Sequence, residues 1–262
     1  MKTRFAFALL LLASSGSAIS AQSIADRVKR APDGTVRLTF ATRPEYCGRG
    51  GSISRGGNWR NQSGDWDRSR DVEWETSCDY GPGRLVLDKR DGEIVSLRFY
   101  MGGRWRDRPD ATDLGTVGGK AAADFLISLA STLPGKAGRE AIFPATIADS
   151  ATVWPQLIRL ARDEERPRET RKQAVFWLGQ AAGEAATSGL DSLSRDTDVD
   201  RDVQKQVVFA LSQRPKDEGI PILLRVARTH RDPEVRRDAV FWLGQSNDPR
   251  AIALFEELLT KR

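Results

Sequence analysis

The acidic side chains most suggestive of catalysis are Asp71, Glu73 and Glu75. They alternate along a predicted strand, so their carboxylates share one face of it. Two carboxylates at a fixed separation form the catalytic pair of most glycoside hydrolases, in which one donates a proton and the other attacks the sugar or activates water. A row of acids on a solvated sheet face has the same spacing and binds no substrate. The residue pattern leaves both interpretations open.

The rest of the chain offers little for catalysis or metal binding. His230 is the only histidine, and it falls in a predicted turn between helices, where it suits neither a metal cluster nor a catalytic triad. Aspartates alternate from Asp196 to Asp202, but a calcium loop counted from Asp196 would need glycine at Arg201 and a carboxylate at Val207. We therefore expect no metal, no cofactor and no enzymatic activity.

The N terminus has the three parts of a secretory signal peptide. Two basic residues lie within the first four positions, Phe5 to Ala13 are apolar, and the residues up to Ala21 are mostly small. This pattern predicts a signal peptide over residues 1–21 and a soluble protein of the periplasm or the extracellular space. No later stretch reaches the roughly 18 apolar residues that a membrane-spanning helix needs.

Charge does not point to a nucleic acid partner. The formal net charge is +5, from 41 basic and 36 acidic residues, and the two signs are intermixed along the chain. A groove that binds nucleic acid concentrates positive charge instead. We therefore expect a protein or peptide partner rather than a nucleic acid.

Cys47 and Cys78 are the only cysteines. An exported protein folds in an oxidising compartment, so the two are predicted to form a disulfide. Closing a loop of about 32 residues would stabilise the fold by roughly 3 to 4 kcal/mol on the chain-entropy model.

The region from residue 22 to 115 is predicted to be a small antiparallel β domain closed by that disulfide. Apolar and polar residues alternate over four segments, which is the period of half-buried strands: 35–41, 71–77, 84–88 and 93–100. Asp91 and Gly92 predict a hairpin turn between the last two. Trp59 and Trp66 lie in a predicted loop over 48–66, where they either bind a ligand or fold back over the sheet.

Residues 116–262 contain a phrase that occurs three times, as Ala174–Gln180, Val207–Gln213 and Ala239–Gln245. The copies begin 33 and then 32 residues apart, a spacing that predicts tandem pairs of short helices. Because one pair cannot bury its apolar face alone, such units stack into a solenoid. The predicted fold class is therefore α+β, with a β domain followed by an α solenoid.

The segment Asp232–Ala251 resembles a HEAT-like repeat of the short variety found in phycobilisome lyases. The matching positions are Asp232, Val235, Arg236, Ala239, Leu243, Gly244, Asp248 and Pro249. The middle copy departs from the pattern, with Gln204 for the arginine and Ser212 for the glycine. The resemblance covers residues 152–262, and the whole layout is similar to exported bacterial HEAT-repeat proteins. It implies a fold rather than an activity, since such repeats occur in scaffolds, adaptors, regulators and a few lyases.

The repeated phrase also predicts a row of aromatic and amide side chains. At 100° per residue, each phenylalanine falls opposite the arc that faces the core, beside a glutamine. The resemblance to HEAT repeats implies that these second helices line the concave surface. The row is either a peptide-binding surface or packing between adjacent helices; its members are Phe176, Gln180, Phe209, Gln213, Phe241 and Gln245.

These patterns predict a non-enzymatic interaction or scaffolding module of the bacterial envelope, which binds a protein or peptide through the solenoid surface. The alternative is a lyase-like or carbohydrate-acting enzyme, or an accessory to one, that uses the tryptophan-bearing loop of the β domain.

Overall fold

The computed structural model describes residues 22–49, 52–55, 69–76, 78–181 and 183–260. The predicted signal peptide, Trp59 and Trp66 lie outside these residues. The described chain begins with helix α1 (Ile24–Arg30). The strands that follow are β1 (Gly34–Phe40), β2 (Tyr46–Arg49), β3 (Ser52–Arg55), β4 (Val72–Glu73), β5 (Asp79–Tyr80), β6 (Gly83–Arg90), β7 (Glu93–Met101), β8 (Arg104–Trp105) and β9 (Ala111–Val117).

The main sheet has four strands in the order β7-β6-β1-β9. Strands β6 and β7 form the predicted antiparallel hairpin, which Asp91 and Gly92 close with φ angles of 54° and 79°. Strand β1 pairs antiparallel with β6 and parallel with β9. The β region is therefore rich in antiparallel pairs but is not purely antiparallel.

A second sheet, in the order β3-β2-β5, carries the disulfide between Cys47 and Cys78. Part of the predicted loop at 48–66 is thus a strand pair. Gly48 permits this arrangement because a Cβ atom at that position would lie 2.5 Å from the Cβ of Met101 at the end of β7. The backbone pairing of β2 with β3 does not depend on apolar alternation, so the sequence pattern could not reveal it.

Two further strands, β4 and β8, pair with each other. The predicted strand over 71–77 is reduced to Val72–Glu73. Backbone pairing in this segment is limited to two residues. Its acidic side chains pair with arginines from other parts of the fold.

The helices follow without an intervening loop, since only Gly118 separates β9 from α2. They are α2 (Gly119–Thr132), α3 (Gly135–Ile147), α4 (Trp154–Arg162), α5 (Arg168–Gln180), α6 (Glu184–Arg195), α7 (Arg201–Ser212), α8 (Lys216–Thr229), α9 (Pro233–Gln245) and α10 (Pro249–Thr260). Helices α3, α5, α7 and α9 lie side by side as the second helices of successive pairs, and α4, α6 and α8 form the other layer. None of the described helices has the length and apolar character required to cross a membrane.

Ion pairs join neighbouring repeats, and both pairs have the same separation along the sequence. Arg162 pairs with Asp196 at 2.8 Å, and Arg168 pairs with Asp202 at 2.7 Å. Each such surface pair stabilises the fold by less than about 1 kcal/mol. Their shared spacing along the sequence nevertheless fixes which residues of one repeat lie against the next.

One continuous hydrophobic core runs through both parts of the chain. It includes Leu38 and Phe40 of the main sheet, Leu126 of α2, Leu178 of α5 and Leu243 of α9. The end of β1 is also joined to the end of α3, since Arg43 donates its backbone N–H to Ile147. The sheet therefore closes the first end of the helix stack. The division into domains at 22–115 and 116–262 stays a prediction.

Candidate functional site

The three repeated phenylalanines lie on adjacent second helices, and the last of them is the most exposed to solvent. Phe176 on α5 and Phe209 on α7 are half-buried, whereas Phe241 on α9 is 57% exposed. The glutamines of the same row, Gln180, Gln213 and Gln245, are exposed. On the opposite side of each helix, core residues such as Ala174, Val175 and Leu178 are fully buried. We call these three phenylalanines the phenylalanine row.

Tryptophans fill the seams between these helices. The ring of Trp242 lies 5.1 Å from the rings of both Phe209 and Phe241. In the middle copy Ala210 stands in place of the tryptophan, and a Cβ atom on Gly179 of α5 would lie 2.9 Å from its side chain. The row therefore combines packing between repeats at Phe209 with an open aromatic surface at Phe241.

Phe143 on α3 is a fourth member of the same series, which the sequence analysis missed. It precedes Phe176 by 33 residues, the period of the repeat, and it follows buried Ala141 and Ile142 as Phe176 follows Ala174 and Val175. Pro144 stands where the other copies have tryptophan or alanine, so the phrase is hard to recognise. The 33-residue spacing is the signal that could have found it.

Phe143 and Trp177 border a large groove between the β region and the helices. Their rings are 4.7 Å apart, and Phe99 of β7 lies 6.1 Å from Phe143. The groove has a volume of about 1090 Å³. Its walls come from β2, β3, β7, α3 and α5, and a smaller cavity of about 220 Å³ continues it past Tyr46 and Trp177. We call this cavity the sheet-edge groove.

The walls of the sheet-edge groove carry more positive than negative charge. In the described part of the chain, neither Arg55 nor Arg139 has a carboxylate within ion-pair distance, and the guanidinium of Arg55 lies 6.0 Å from the Tyr46 ring. Lys136 pairs with Glu140 at 3.4 Å. Two arginines at the groove are thus left to pair with an incoming anionic group.

A third arginine of the groove, Arg98, is already neutralised. Its guanidinium donates to Asp71 at 2.9 Å and to Asp88 at 2.5 Å. The hydrogen bond from Arg98 lowers the pKa of Asp88 to about 2, and a second bond from Ser96 adds to this effect. Asp71 and Asp88 therefore hold the side chain of Arg98 in place.

The acidic residues Asp71, Glu73 and Glu75, for which a catalytic pair was one of two interpretations, are all paired with arginines. Asp71 is 2% exposed and accepts hydrogen bonds from the Tyr100 hydroxyl at 2.9 Å and from Arg108 at 3.1 Å. Glu73 and Glu75 both pair with Arg104, at 3.5 and 2.8 Å. Each carboxylate has an arginine partner, so the arrangement gives no support to a glycoside hydrolase.

The aspartates considered for calcium have structural partners as well, since Asp196 pairs with Arg162 and Asp202 with Arg168. Asp200 caps the N terminus of α7 by accepting the N–H group of Val203, as Asp232 caps α9 by accepting that of Glu234. No group of three or more candidate metal ligands lies together among the residues that the structure describes. His230 is buried in the turn before α9, and this burial lowers its pKa.

Comparison with known proteins gives one finding for the helical part. Residues 190–262, from the middle of α6 onward, match the family model for HEAT repeats. The comparison with curated proteins found no match for the chain. The family match and the paired helices together support a HEAT-like repeat protein.

Proposed function

We propose that this chain is a non-enzymatic interaction or scaffolding module of the bacterial envelope, which binds a protein or peptide through its second helices. HEAT repeats are commonly protein-interaction modules, and the family match covers α7, α8, α9 and α10. The observation that carries the proposal is Phe241, a large aromatic side chain that is 57% exposed on α9.

The chemistry of the row suits a polypeptide. Exposed aromatic side chains anchor many protein interfaces, because their rings bury a large apolar area with little loss of conformational entropy. The neighbouring amides of Gln213 and Gln245 can both donate to and accept from a peptide backbone. Phe176, Phe209 and Phe241 would supply apolar contacts, while Gln180, Gln213 and Gln245 would supply hydrogen bonds.

The alternative of a lyase-like or carbohydrate-acting role rests on Trp59 and Trp66, which lie outside the described residues. No arrangement in the described part of the chain favours it, and it stays a prediction from the sequence.

The proposal is tested by exchanging Phe241 for serine. Partners captured from an envelope extract would be purified, and their dissociation constants measured with the wild-type protein and with Phe241→Ser. We expect binding to weaken by tenfold or more, as when a central aromatic contact is lost. The free energy of unfolding should change by less than about 1 kcal/mol, since the ring is largely exposed.

Ile252 on α10 is the matched control, because it is 59% exposed and does not belong to one of the second helices that carry the row. Ile252→Ser should bind the partner as the wild-type protein does. Equal affinity of Phe241→Ser and the wild type for every captured partner would refute the proposal.

A further inference from the structure

The sheet-edge groove follows the open edge of strand β7. Six consecutive residues of the strand, 95–100, line it. Since neighbouring residues of a strand point to opposite faces, a cavity lined by six in a row must run along the strand's edge rather than over one face. Six residues of strand extend over roughly 20 Å.

Among the residues that the structure describes, no strand pairs with this edge. Strand β7 is the outer strand of its sheet and pairs only with β6 among the described strands. The register shifts near Lys89, so Val95 has no partner opposite it and remains 48% exposed. An unpaired strand edge is a template for another extended chain. Strand β3, which also lines the groove, is likewise the outer strand of its own sheet.

The wall opposite β7 provides side-chain contacts for an extended chain. Phe143 and Trp177 supply apolar surface, and Gln173 and Gln180 supply amides. Alternate residues of a strand added to β7 would point towards these aromatic rings, as Phe99 does. Strand addition of this kind draws affinity from backbone hydrogen bonds and specificity from pockets for alternate side chains.

The charge of the groove selects among possible extended chains. Arg55 and Arg139 have no carboxylate partner in the described chain, and they lie on different elements, β3 and α3. An acidic segment would pair with both, whereas a basic segment would be repelled.

We propose that the sheet-edge groove binds an extended acidic peptide segment of a partner protein, which adds to the main sheet as a fifth strand along β7. This inference rests on the proposed function, since it takes the partner to be a protein, and it names a second contact site and the conformation of the bound segment. The segment would place apolar side chains against Phe143 and Trp177 and carboxylates beside Arg55 and Arg139.

The test begins with random dodecamer peptides displayed on phage and selected on the full chain. We expect the selected sequences to be acidic, with apolar residues at alternate positions. Hydrogen exchange of the complex with a synthetic selected peptide should then show slower exchange of the backbone amides over residues 95–100. Failure to select any peptide, or protection of α9 without protection of β7, would overturn the proposal.

Charge reversal provides the second measurement. Arg139→Glu and Arg55→Glu should each weaken the selected peptide by tenfold or more, and replacing the peptide's carboxylates by lysine should restore part of that loss. Arg159→Glu is the matched control, since Arg159 is an exposed arginine on α4 that does not line the groove, and it should change affinity less than twofold. Equal affinity of all three variants would contradict a charge-selective groove.

Two further outcomes separate this proposal from neighbouring ones. If Phe241→Ser weakens partner binding while Arg139→Glu does not, the phenylalanine row binds the partner and the groove proposal fails alone. If sedimentation shows concentration-dependent dimers in which β7 is protected without any peptide, the occupant of the groove is a second copy of the chain. That result would also overturn the proposal.

Discussion

At the scale of single residues, the pairing of Asp88 with Arg98 makes stability depend on pH. The folded pKa of Asp88 is about 2, below its usual value of 3.8. This carboxylate therefore contributes its full stabilisation above about pH 4, and the contribution is lost as the pH falls through 2. The shift alone would correspond to roughly 2.4 kcal/mol, and solvent screening of this partly exposed group reduces it to about 1 kcal/mol.

The measurement is the free energy of unfolding of the wild-type protein and of Asp88→Asn, from urea melts at pH 5 and pH 2. We expect the stability advantage of the wild type to shrink by about 1 kcal/mol at the lower pH. An advantage that is equal at both pH values would show that Asp88 does not titrate as described.

Single residues also show where sequence patterns mislead. Asp71, Glu73 and Glu75 alternate as expected, but Asp71 is buried and takes its partners from β7 and from the segment after β8. Alternation records only which side of a strand a residue occupies. The arginines that donate hydrogen bonds to Asp71 and Glu73 lie more than 25 residues away along the chain, so local spacing carries no information about these bonds.

At the scale of elements, Lys89 anchors the first helix to the sheet. Its buried ammonium donates to the carbonyl oxygens of Val28, Lys29 and Ala31, at 2.9, 3.1 and 2.5 Å. A cation at a helix C terminus satisfies carbonyl groups that have no partner within the helix and interacts favourably with the helix dipole. These bonds hold α1 against the end of β6.

We expect Lys89→Met to release α1, because three carbonyl groups lose a charged donor. The loss of stability should be about 2 kcal/mol. Backbone amides over residues 24–30 should exchange faster, while those of α5 keep their wild-type rates. Lys29→Met, which removes an exposed lysine of α1 itself, is the control and should leave exchange unchanged. Unaltered exchange over 24–30 in Lys89→Met would contradict the anchoring role.

The elements best predicted from sequence are those with local signals. The repeat pattern predicts a helix over Pro233–Gln245, and helix α9 has these bounds, with Asp232 as its cap. The apolar pattern predicts that the helix before α7 begins at Gly189, whereas α6 begins at Glu184, after Gly183 with a φ of 90°. The parallel pairing of β1 with β9 depends on segments about 76 residues apart, and no local pattern could indicate it.

The phenylalanine row shows what the sequence pattern could predict and what it could not. The helical period correctly separated Phe241 from the buried face of α9. It could not tell that Phe209 would be half-buried while Phe241 stays exposed, because that depends on how neighbouring repeats stack. The sheet-edge groove was not predicted at all, since five elements from distant parts of the chain build it.

At the scale of the whole molecule, the shared core leads us to expect the β region and the helices to unfold together. Circular dichroism, which reports the helices, and tryptophan fluorescence should give coincident urea transitions. Reduction of the Cys47–Cys78 disulfide, which spans 31 positions, should lower stability by roughly 3 to 4 kcal/mol and shift both signals equally.

The control for reduction is a urea melt of the oxidised protein, followed by the same two signals without reductant. Two separate transitions, of which only the fluorescence transition moved on reduction, would instead establish residues 22–115 and 116–262 as independently folding domains.

The two ends of the helix stack differ in how much apolar surface they leave exposed. At the first end the sheet covers α3, whereas at the other end α10 packs against α8 and α9 and exposes Ile252 and Leu259. A tandem duplication that appended another second helix would meet an apolar surface already available for burial. A helix packed against Ile252 and Leu259 would bury apolar surface without any change to the existing core, whereas the sheet already covers the opposite end of the stack.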